Sequence, residues 1–125
     1  MKPFIYIDPN INMESEEMLE IIIQFKTKPI NRQMADVKSN QTLDMAKKSV
    51  EASHHRFRNE LADHLGENHI SYEIVTVYKN VYNGVMIRLR GQHINYLLQS
   101  DEIESVHMND TLHIPIKPND PRYQI

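Results

Sequence analysis

The chain has no cysteine, no tryptophan and only three glycines among its 125 residues. The first absence excludes a disulfide scaffold, thiolate metal sites and a thiol nucleophile. The glycines, at 66, 84 and 91, stand too far apart for a phosphate-cradling loop. Excess positive charge is missing too. A net charge of −3 and a pI near 6.1 offer nothing to a nucleic-acid backbone or an anionic membrane. No apolar run approaches the roughly 18 residues of a membrane span. The opening MKPFIYIDPNINMESEEM has neither the basic start nor the apolar core of a signal peptide. The expected compartment therefore follows the start: cytoplasmic if Met1 is native, secreted if a signal peptide was removed.

What is there is the composition of one globular domain, 40% apolar and 25% charged. Residues 1–17 are polar, with Pro3 and Pro9, and read as an N-terminal arm. In MLEIIIQFK, Ile21, Ile23 and Phe25 alternate with Glu20, Ile22, Gln24 and Lys26, the period of a strand. KPINRQMADVKSNQ reads as a loop. Thr42 is placed to cap a long helix whose apolar stripe runs Leu43, Ala46, Val50, Ser53 or His54, Phe57, Leu61 and Leu65. Gly66 is placed to close it in the left-handed conformation. Two β-rich runs flank YKNVYNG, where Asn83-Gly84 is either a tight hairpin turn or part of a looser connection. GQHINYLLQ suits a short helix and IESVHM a last strand. The order βαββαβ predicts an α+β, ferredoxin-like domain over residues 18–109. It has a four-stranded antiparallel sheet, two helices on one face, and an extended tail over 110–125.

Two helices cover one side of such a sheet, leaving Ile22, Gln24, Met86 and Arg88 on the other as a candidate docking face. The chemistry for catalysis is not in the sequence. The seven histidines, at 54, 55, 64, 69, 93, 107 and 113, include no helical pair at metal-binding spacing. No nucleophile elbow is present. The reading is therefore a non-enzyme with no metal and no cofactor.

EMLEIIIQFKTKP, SHHRFRNEL, YKNVYNGVMIRL and HINYLLQSDEIESV, in that order and spacing, resemble the propeptide and inhibitor domain of subtilisin-like serine proteases. The resemblance is nearest to the propeptides of secreted Bacillus-type subtilases and covers about residues 18–114. It implies a domain whose open sheet packs on the protease while its C-terminal segment lies in the substrate cleft like a product. Thr111, Leu112, His113, Ile114 and Pro115 would be the cleft-binding segment, with Ile114 near the residue before the scissile position. The Ile114-Pro115 bond is expected to resist cleavage, because its tertiary amide distorts the cleft geometry. The tail is also spaced by Pro115, Pro118 and Pro121, which keep it extended.

Where related propeptides carry several carboxylates that cap protease helices, this chain has His107-Met108-Asn109-Asp110. Asn109 and Asp110 inherit that expectation. PNDPRY, at 118–123, looks like the opening of many mature subtilase domains. The implied function is inhibition of a subtilisin-like protease by a free monomer, with no nucleic-acid or membrane partner. The alternatives are a propeptide that chaperones a C-terminal subtilase, and a ferredoxin-like module for ligand binding or dimerisation.

Overall fold

MLEIIIQF forms the central strand, β2 (Met18–Phe25), and its alternation divides the molecule into two sides. Ile21, Ile23 and Phe25 are at most 2% exposed, whereas Glu20, Ile22 and Gln24 stay half-buried on the opposite face. The computed structural model describes residues 4–35 and 42–109. Within them β2 pairs antiparallel with β4 (Gly84–Arg90) and with β5 (Ile103–Met108), and β3 (Tyr72–Tyr78) pairs antiparallel with β4.

The sheet carries one strand more than the four expected. Tyr6–Ile7, in the segment read as an arm, forms β1 and runs parallel to β5, giving the order β1-β5-β2-β4-β3. The backbone N–H of Asp8 donates to the Val106 carbonyl at 2.9 Å, and its carboxylate accepts the Met108 N–H at 3.1 Å. Ile11 is buried against the core. Donation from the Asn10 and Met108 backbone amides lowers the Asp8 pKa below the usual carboxylate range. The short strand also covers an edge of β5 that would otherwise expose unpaired backbone groups.

The expected loop after β2 contains a short helix, α1 (Ile30–Ala35). Its first amides are satisfied from across the fold: Ile30 N–H donates to the Lys79 carbonyl at 3.0 Å and Asn31 N–H to that of Asn80 at 2.9 Å. Ile30 packs with Ala46 and Val50. The long helix α2 (Leu43–Leu61) begins where the capping residue predicts, with the Thr42 hydroxyl accepting the Met45 N–H at 3.1 Å. Its buried stripe is Ala46, Val50, Ser53, His54, Phe57 and Leu61; Leu43 lies outside it and is exposed.

Gly66 is not the left-handed closure. The helix continues through a π-helical turn, Ala62–Gly66, that buries Leu65. The left-handed residue is His69 at φ 56°, after which Ile70 N–H returns to the Leu65 carbonyl at 3.0 Å. The second helix is a 3-10 helix (Gly91–Gln99) burying Ile94 and Leu97. Phe57, Leu61, Ile94 and Leu97 form one core with Ile21, Ile23, Val85, Ile87, Leu89, Ile103 and Val106, so both helices cover the same face of the sheet.

Candidate functional site

The face turned away from the helices is organised around Ile22, whose neighbours across β4 and β5 are Met86 and His107. Gln24 and Arg88 share that face, so the structure brings all four sequence-selected residues together on it. Arg88 donates to Glu20 at 2.5 Å and reaches Glu73 at 3.5 Å, and the Glu20 contact raises the guanidinium pKa further. The Ser105 hydroxyl donates to the Gln24 side-chain oxygen at 3.0 Å, which makes His107 Nε2 the donor to Ser105 at 2.9 Å. The Tyr6 ring stacks at a tilt on His107, with centroids 5.5 Å apart. The result is an apolar centre, Ile22 and Met86, inside a hydrogen-bonded polar frame.

Asn109 sits at one end of this face. Its backbone N–H donates to the Glu20 carbonyl at 3.0 Å, and its side-chain amide points back to Glu20 at 3.3 Å and to the Met86 sulfur at 3.6 Å. Asp110 and the segment Thr111 to Pro115 lie outside the described residues. Sequence reasoning did not select Glu20, Ser105, His107 or Tyr6 for the site. Period-two alternation from Ile22 reaches Glu20. Ser105 and His107 need the β2–β5 register, and nothing local signals Tyr6.

On the helix side, a buried hydrogen-bond chain explains why serine-histidine in α2 and asparagine-glycine before β4 occur in one molecule. His54 Nε2 donates to Asn83 Oδ1 at 2.8 Å and to the Tyr78 carbonyl at 3.1 Å. The Asn83 amide donates to the Thr27 carbonyl at 2.9 Å and the Ser53 hydroxyl at 3.0 Å, and Ser53 donates to the Val50 carbonyl at 2.6 Å. Asn83 is thus a buried tie between α2 and two connections, not the corner of a two-residue turn.

Burial lowers the His54 pKa, outweighing its bonds to Asn83 and Tyr78. The folded state therefore holds His54 neutral while the unfolded chain takes up its proton near pH 6.5. Its contribution is complete above that pH and declines as pH falls towards the lower folded pKa. We expect urea-unfolding free energy to fall as the pH drops below about 6.5, with His54 contributing at most about 1.4 kcal/mol per pH unit. His54→Gln should flatten that slope; an unchanged slope would assign the pH dependence to other groups.

Both helices pack on one face of the sheet and leave the other face, with Ile22 and Met86 at its centre, open. A family model described as peptidase inhibitor I9 matches residues 21–115, most of the chain. The chain belongs to the peptidase inhibitor I9 family, whose members are non-catalytic subtilisin propeptide and inhibitor domains. No curated protein and no solved structure matches the chain.

Proposed function

We propose that the chain inhibits a subtilisin-like serine protease by docking its open sheet face on the enzyme and placing residues Thr111 to Pro115 in the substrate cleft like a product. The scaffold of this reading is the ferredoxin-like arrangement of β5-β2-β4-β3 with both helices on the far side. The observation that carries it is the position of Asn109, fastened beside Glu20 and Met86 at the end of the open face. A chain leaving there starts next to whatever occupies that face.

An extended segment can pair with the cleft edges through its backbone, and the folded domain beside it reduces the entropy lost on binding. The inward amide of Asn109 leaves Asp110 as the acidic group for the helix-capping role expected of this pair.

The test compares the whole chain with a truncation ending at Asp110 as inhibitors of a broad-specificity subtilisin. The truncation is expected to be at least tenfold weaker, about 1.4 kcal/mol. Equal potency would remove the tail from the mechanism.

A further inference from the structure

At the end of the sheet opposite Asn109, β2 leaves the sheet and β4 and β5 enter it, and a recess of about 150 Å³ opens there. Lys26, Lys28 and Arg32 line it, with Tyr82, Asn83 and Glu104. Among the described residues the ion-paired cations are Lys48, Arg56, Lys79 and Arg88, and none of the three lining cations forms an ion pair with another described residue. Three cations face one carboxylate in a chain whose formal charge is −3. Tyr82 is held neutral, since burial and the nearby Glu104 raise its pKa.

The segment bearing the cations is fixed. Lys26 N–H donates to the Glu102 carbonyl at 2.8 Å. The Thr27 amide and hydroxyl donate to the Glu102 carboxylate at 3.2 and 3.0 Å, and the buried Glu102 is clamped by Arg56 at 2.8 Å. Gln24 belongs both to the recess and to the open face, so the two are continuous. Four residue steps along β2, about 13 Å at the usual rise, separate Gln24 from Glu20 beside Asn109.

We infer that this basic recess receives an acidic side chain from the surface of the docked protease and helps decide which protease the domain inhibits. The inference rests on the docking reading above. A free small anion would gain little from cations that are open to solvent and screened by salt. A carboxylate presented by a protein already seated on the face adds no further association cost, so the same charges bind it more effectively. With the tail at one end and the recess at the other, the two contacts fix the orientation of the face.

The experiment uses the full chain, the triple variant K26E/K28E/R32E and Ile22→Asp. Each is assayed against two broad-specificity subtilisins, one with an acidic and one with a basic surface, at low and high salt. The triple variant should inhibit the acidic enzyme at least tenfold more weakly at low salt, approach the parent chain at high salt, and lose nothing against the basic enzyme. Its melting temperature should stay near that of the parent. Equal inhibition of the acidic enzyme by parent and triple variant, with Ile22→Asp inactive, would overturn the recess and keep the docking reading. No inhibition by the parent chain would remove both. Saturable amide shifts around Arg32 and Tyr82 on adding inorganic phosphate to the free chain, at submillimolar concentration, would assign the recess to a small anion and overturn the inference.

Discussion

Gly84→Ala is expected to leave the domain unfolded or close to it. A Cβ at this position would stand 1.9 Å from the Ile23 carbonyl oxygen and 2.9 Å from its carbon, both backbone atoms of the central strand. A side chain could turn aside; a strand paired on both edges cannot. Gly84 opens β4 opposite Gln24, so relieving the clash means parting β2 from β4 where Phe25 N–H donates to the Asn83 carbonyl at 2.9 Å. The break would also pull Asn83 from His54, Ser53 and Thr27. Backbone displacement and unsatisfied buried groups together should cost at least about 3 kcal/mol, a large part of the 5–15 kcal/mol typical of a domain. Gly66→Ala serves as the control, because a Cβ there meets nothing within 4 Å. It should leave stability unchanged or raise it by up to about 1 kcal/mol through helix propensity. Urea midpoints of both variants check the pair, and equal midpoints would contradict the close approach at Gly84.

The alternation in MLEIIIQF and the stripe from Ala46 to Leu65 were legible because each is a local pattern with one period and one buried face. They are enough to place Ile22 and Gln24 opposite the helices. What escaped the sequence depends on partners far along the chain. Residues 30–35 are helical with amides donated to Lys79 and Asn80, and β1 joins β5 across roughly a hundred residues of separation. Neither partner is written in the local sequence. Asn83 shows the same limit from the other side. Its sequence neighbourhood is that of a turn, while its side chain makes bonds that only the packing of α2 explains. The recess around Lys26, Lys28 and Arg32 was invisible for a related reason. Lys26 was read at the end of the first strand and Lys28 and Arg32 in the loop after it, while Glu104 and Tyr82 come from β5 and the β3–β4 connection.

Ile22→Asp is expected to weaken inhibition of a susceptible subtilisin by about a hundredfold or more, close to 2.7 kcal/mol. Ile22 stands at the centre of the open face, between Met86 and His107, on the strand bordered by both β4 and β5. Central apolar positions contribute most to interfaces, because the surrounding contacts exclude water from them. An aspartate there loses the apolar contact and, in the complex, buries a carboxylate for which Arg88 is already committed to Glu20 and Glu73. In the free domain the same side chain remains partly exposed, so the cost to folding should be near 1 kcal/mol, the scale of strand propensity. The prediction thus separates binding from stability, with inhibition constants and melting temperatures measured on one sample. Joint loss of both would make Ile22 a folding residue. Retained inhibition would move the docking surface away from β2, while leaving the tail free to act alone in the cleft.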